Sequence, residues 1–176
     1  AAIAAGVLIN TAGFLQTTAQ ETGEQSSQQV TNRLQVVSVV GEDIESNQVG
    51  NVSLLVKTAP GADAINLQNV TIQWIGPGGS QSLVHNSSTN GFTEVVVKDS
   101  DGQRPTLNDP DDRYEIHIDN DDDSGIKSGI GRGLNPGDSV TIKLTTMSGG
   151  TTEIRISVPQ SLSGNADKTK QQSASA

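Results

Sequence analysis

The chain begins with nine residues that carry no polar side chain, AAIAAGVLI, and then runs to Pro60 without a proline. A helix that is apolar on every side needs cover on every side. The residues are spaced for such cover: Ala5, Ala12 and Ala19 recur every seven positions, as do Gly6 and Gly13, and Leu8 and Leu15. Small residues on one stripe let helix axes approach closely, while leucines supply apolar area. Past Leu15 the chain turns polar but stays compatible with a helix through QTTAQETGEQSSQQVTNR, where Gly23 and the Ser and Thr residues weaken it. These features predict one long helix over residues 1–32 that packs against copies of itself rather than on its own domain. Ile3, Val7, Leu8, Ile9, Phe14 and Leu15 would carry the apolar burial, and Ala5, Gly6, Ala12, Gly13 and Ala19 the close approach.

Two other readings of the segment fit less well. A secretory signal needs a basic region ahead of its apolar run, and no Lys or Arg precedes Arg33. A membrane-spanning helix needs about 20 predominantly apolar residues. Here the run is broken at Asn10 and Thr11 and fades after Leu15.

From Leu34 onward the period changes to two. NVSLLVKT (51–58) sets Val52, Leu54 and Val56 on one face and Ser53 and Lys57 on the other. NVTIQWIG (69–76), SVTIKLTT (139–146) and TEIRISVP (152–159) alternate in the same way, as strands with one buried and one wet face do. Weaker strand patterns occur in RLQVVSVVG (33–41), QSLVH (81–85), FTEVVVK (92–98) and RYEIHID (113–119), with PGGS, NPGD and SGGT as turn punctuation. The expected fold is therefore α+β: a long N-terminal hydrophobic α-helix followed by an antiparallel β-sandwich of immunoglobulin-like type over residues 33–163. A polar, flexible tail over 164–176 would end the chain. Aromatic residues make up 2% of the sequence, so the core must rest on Val, Ile and Leu.

The charge balance excludes several functions. Eleven basic against 20 acidic residues, a net charge of −9, disfavours nucleic-acid binding and docking on anionic lipid. A dense carboxylate surface suits concentrated salt, where repulsion is screened within roughly 3 Å at 1 M. There is no cysteine for a disulfide, thiolate metal site or thiol nucleophile. His85 and His117 are the only histidines, and His117, between Ile116 and Ile118, faces outward from a strand. GIGRG (129–133) follows no parallel strand and opens no helix, so it reads as a flexible turn rather than a dinucleotide loop. An enzyme is not expected.

Acidic residues crowd between Asp99 and Asp138 and read mainly as a solvated loop. Within it Asp119, Asp121 and Asp123, followed by Gly125, partly match a loop in which alternating carboxylates converge on a divalent cation such as calcium or magnesium. The glycine stands one position late, and no Glu closes the loop. Three N-x-S/T sequons occur, at Asn51, Asn69 and Asn86. The strand register turns Asn51 and Asn69 outward, and Asn86 falls in a loop, so all three are candidates for N-linked glycans.

AAIAAGVLINTAGFLQ (1–16), TGE (22–24) and QVTNRLQVVSVVG (29–41) resemble the N-terminal region of archaellins, the archaeal flagellins. INLQNVTIQWIGP (65–77) is similar to an internal block of haloarchaeal members, and ISVPQSLSG (156–164) to their C-terminal strand. The resemblance implies a subunit that polymerises through its N-terminal helix into the archaellum filament on the cell surface, for swimming. The β domains would form the outer wall, and no cofactor would be required. Its partners would be copies of itself, a second archaellin, and the motor and envelope proteins at the filament base. Archaellins carry further apolar residues upstream of the block that starts here at Ala1, so the chain is expected to lack the first part of the helix, and no processing site maps onto it. The family's apolar C-terminus is also missing. The alternatives are a type IV pilus-like adhesion filament and a cell-surface β-sandwich domain on a membrane helix.

Overall fold

The computed structural model describes the backbone of residues 2–45, 47–86, 91–119 and 133–162, with side chains from Thr11 onward except that of Glu45. Helix α1 spans Ala2–Thr31, a length of about 45 Å at 1.5 Å per residue. Its second half is rich in residues of modest helix propensity, and their hydroxyls are turned inward. Thr17, Thr18, Thr22, Ser26 and Thr31 each donate to the carbonyl four residues earlier, at 2.8 to 3.0 Å. Such bonds satisfy the side chain within the helix's own backbone.

Ten strands follow: β1 (Leu34–Glu45), β2 (Gln48–Thr58), β3 (Ile65–Asn66), β4 (Thr71–Gly76), β5 (Gly79–His85), β6 (Gly91–Lys98), β7 (Thr106–Leu107), β8 (Arg113–Asp119), β9 (Ser139–Thr145) and β10 (Thr151–Ser157). Eight of them form one sheet in the order β1-β2-β8-β6-β5-β4-β9-β10, and β3 pairs with β7. The expectation of a wholly antiparallel arrangement needs correction at one place. Strands β5 and β6 run parallel, joined only at Val84↔Gly91 and His85↔Phe92. This brief pairing is where the sheet passes from its β1-β2-β8-β6 half to its β5-β4-β9-β10 half.

Both halves feed one core. Val52, Leu54, Val56, Ile116 and Ile118 from the first half join Ile72, Trp74, Leu83, Ile142 and Leu144 from the second in a single buried cluster. The three rings of the β domain, Trp74, Phe92 and Tyr114, are all fully buried there. Sparse aromatics are thus concentrated at the centre.

Two of the four strands with weak sequence patterns, β1 and β6, are bulged. The β1–β2 register shifts between Val36 and Ser38, so Val36 and Val39 pair with Val56 and Leu54, while Val37 is turned out to solvent. The β6–β8 register shifts between Val96 and Lys98, near the end of β6, where Val97 lies on the exposed face with Val95. An extra residue in one strand reverses the alternation beyond it. The core should respond as a well-packed one: Leu54→Ala, at a fully buried site, is expected to cost about 2–5 kcal/mol, read from urea unfolding followed by the fluorescence of Trp74.

Candidate assembly helix and its junction

Every described side chain of α1 from Thr11 to Val30 is exposed. Phe14, Leu15 and Val30 are 72%, 63% and 71% exposed, among the most exposed large apolar residues described. Ala12, Gly13 and Ala19 lie on the same uncovered stretch. Ile3, Ala5, Gly6, Val7, Leu8 and Ile9 are helical in backbone, and their side chains lie outside the described residues. Among the described residues no helix is long and apolar enough to cross a membrane.

The helix ends in a dense set of hydrogen bonds that the sequence did not announce. The Asn32 amide N–H closes the last turn on the Gln28 carbonyl at 2.8 Å. Its side chain is used at both ends: Nδ2 donates to Asp63 Oδ2 at 3.0 Å, and Oδ1 accepts from the Asp63 amide at 2.9 Å. The Asn32 carbonyl accepts from Thr146 Oγ1 at 2.7 Å and Ser148 Oγ at 3.3 Å, both on the β9–β10 turn. The next carbonyl, Arg33, accepts from Ala59 N at 3.0 Å, and Leu34 O accepts from Thr152 Oγ1. Asn32 and Thr146 are two of the few buried polar residues described.

The other sequence-predicted positions divide. Asn69 is exposed, but it closes a short 3-10 turn rather than opening a strand. Asn86 is exposed on the loop after β5, with φ of +50°. Asn51 is only half exposed in the central strand β2, and its Oδ1 is buried without a hydrogen-bond partner. Full outward exposure of Asn51 is therefore corrected, because β1 and β8 flank it with Glu42 and Asp119. Asp119 ends β8, whereas Asp121 and Asp123 lie outside the described residues, as does GIGRG apart from Gly133. Among the described residues no group of three His, Cys, Asp or Glu is placed to hold a metal.

Ser53, expected on the wet face, is buried. Its hydroxyl donates to Glu42 Oε2 at 3.1 Å and lies 3.0 Å from His117 Nδ1. With its one proton directed to Glu42, Ser53 has none to give the imidazole, the reverse of what an activated nucleophile requires. His85 pairs with Glu94 and meets Phe92 edge-on at 5.7 Å.

The acidic cluster is not simply solvated. The Asp99 side chain is fully covered, accepting from the amides of Asp101 and Gly102, Arg104 Nε and Tyr114 OH. Desolvation opposes its ionisation, but those four bonds together outweigh it and hold the carboxyl below the ordinary aspartate range. Asp112 is also buried, with Oδ2 taking the amides of Asn108 and Asp109 and Oδ1 the Ser100 hydroxyl. Asp138 caps the turn before β9 through the Asn135 amide at 2.9 Å. Burial, reinforced by the charge and hydrogen bond of Asp99, pushes the Tyr114 phenol up to about 12.

From Thr11 to Val30 the helix thus stands uncovered on a hydrogen-bonded mount beside the β domain, the build of a structural subunit. Its kinship is direct: the chain belongs to the archaeal-type flagellin family, whose model matches residues 1–156. It is 38% identical to flagellin A2 of Haloferax volcanii over 93% of this chain and 84% of that protein. It is 42% identical to flagellin B2 of Halobacterium salinarum, over 92% of this chain and 82% of the relative. In fold it is similar to the archaeal flagellum of Methanospirillum hungatei strain JF1, with a TM-score of 0.68 at 17% identity over 93% of this chain and 87% of that one. Flagellin FlaB1 of Methanocaldococcus jannaschii gives 0.63 at 14% identity, over 74% and 92%. The protein is a structural filament subunit for motility, of haloarchaeal kind, and not an enzyme.

Tyr114, the only tyrosine, reports on the acidic loop. Its tyrosinate absorbance should rise with a midpoint near 12 rather than the usual 10. Asp99→Asn should bring that midpoint down. Because the folded value lies above the free one, the stabilisation held by the Tyr114 proton is complete below about pH 10 and is lost as pH rises toward 12. Asp99, shifted the other way, stabilises above the usual carboxylate range and loses this as pH falls through its folded value.

Proposed function

We propose that α1 is the filament-core element and that the β domain, an immunoglobulin-like sandwich closed from the two halves of the sheet, forms the extracellular wall. One observation carries the reading: the helix presents Phe14, Leu15 and Val30 to solvent along a stretch, Thr11 to Val30, in which every side chain is exposed. Covering Ile3, Val7, Leu8, Ile9, Phe14 and Leu15 with copies of the same helix contributes about 1.5–3 kcal/mol for each fully buried side chain. Ala5, Gly6, Ala12, Gly13 and Ala19 let the axes approach. The inward-turned hydroxyls support the same role, since a threonine bonded to its own backbone enters a dry interface at less cost than a free one.

Copies of this chain, alone or together with a second archaellin, make up the polymer in this reading, and motor and envelope proteins hold its base. Exposure at Asn69 and Asn86 supports N-linked glycans there ahead of Asn51. Mass spectrometry of filament peptides is expected to find glycan at the first two.

Leu15→Asp tests the core assignment. The β domain should keep the emission of buried Trp74, while filaments vanish from electron micrographs and cells stop swimming. Normal filaments from this variant would refute the assignment.

A further inference from the structure

We infer that Asn32 and the β9–β10 turn act together as a clamp that sets the direction in which α1 leaves the β domain. The consequence for a polymer rests on the filament reading above; the clamp itself is a property of the single chain.

Three successive carbonyls, Asn32, Arg33 and Leu34, are taken by three separate segments. These are the β9–β10 turn through Thr146 and Ser148, the turn after β2 through Ala59, and strand β10 through Thr152. The Asn32 side chain adds a fourth attachment, to Asp63, and engages it at both amide ends, which leaves the group no freedom to swing. A connection that only linked helix to sheet would need none of this; an ordinary linker leaves its backbone to water.

The approach of the turn is closer than any side chain permits. A Cβ on Gly150 would lie 2.2 Å from the Asn32 carbonyl oxygen and 2.8 Å from its carbon, both backbone atoms that cannot step aside. One helical turn earlier, a Cβ on Gly149 would stand 3.3 Å from Gln29 Nε2, so the turn meets α1 as well as its end. SGGT thus has a second purpose beyond closing a hairpin: its glycines admit the end of the helix. Since α1 is about 45 Å long, a tilt of a few degrees at Asn32 moves its far end by several ångströms. In a polymer the clamp would fix the angle between core and wall, and with it how rotation of the core is passed to the wall.

The absence of cysteine makes the test direct. Gln25→Cys on α1 and Glu153→Cys on β10, both at exposed positions, take spin labels for pulsed electron-resonance distance measurement on the full chain in detergent micelles. The parent should give one narrow distance distribution. Asn32→Ala and Gly150→Ala should each lose that narrow distribution while Trp74 emission and the Tyr114 midpoint stay unchanged; Met147→Ala, on the same turn but exposed, should keep it. Thr146→Val, which removes the hydroxyl at nearly constant shape, replaces either variant if its domain fails to fold. A broad distribution in the parent, or a narrow one retained in the clamp variants, would overturn the inference. Because the distances are measured on single chains, their outcome is separate from that of the Leu15→Asp filament test.

Discussion

Three backbone carbonyls at the end of an exposed helix must find donors just where the chain enters a sheet, and the rest of the structure is arranged around that need. Buried backbone acceptors left unpaired are costly. Here the donors come from Thr146, Ser148, Ala59 and Thr152, so the turn after β2, the β9–β10 turn and strand β10 all converge on residues 32–34. Strand β1 begins at Leu34, itself buried in the core, immediately beyond this point. The helix therefore runs straight into the edge strand β1, whose first residue is buried in the core.

What the domain does not offer the helix is cover. Thr11 to Val30 face solvent throughout, while the hydroxyls of Thr17, Thr18, Thr22 and Ser26 are spent on the helix's own carbonyls. This surface is apolar at Phe14, Leu15 and Val30, has several hydroxyls already satisfied within the helix, and grows polar toward its end through Gln20, Glu21, Glu24 and Gln25. The chain belongs to the archaeal-type flagellin family, and the exposed helix is the surface proposed above to meet other subunits.

The acidic residues illustrate how composition misleads about individual side chains. A net charge of −9 suggests carboxylates in water, yet Asp99 and Asp112 are enclosed and serve as acceptors for amides, a hydroxyl, a guanidinium and a phenol. They order the chain between β6 and β8 without any long apolar run, and in doing so they bring the phenol of Tyr114 against a negative charge. Ser53 makes a parallel case on the opposite face of the first half-sheet, where Glu42 and His117 close over it.

Much of the architecture was legible because it depends on local pattern. The period of two begins at Leu34, where β1 begins, and strict alternation marked β2, β4, β9 and β10. Alternation was blurred in β1 by the bulge at Val37, which reverses the faces partway along, and in β6 by its run of three valines, which ends in a bulge. The sequence by itself determined that an apolar helix precedes an acidic β domain, since hydrophobic period is written in neighbouring residues. Only the tertiary structure decided that Asn32 is a clamp and Gly150 its seat. The partners of that clamp lie 31, 114 and 118 positions apart along the chain, and no local pattern carries a hydrogen bond over that distance.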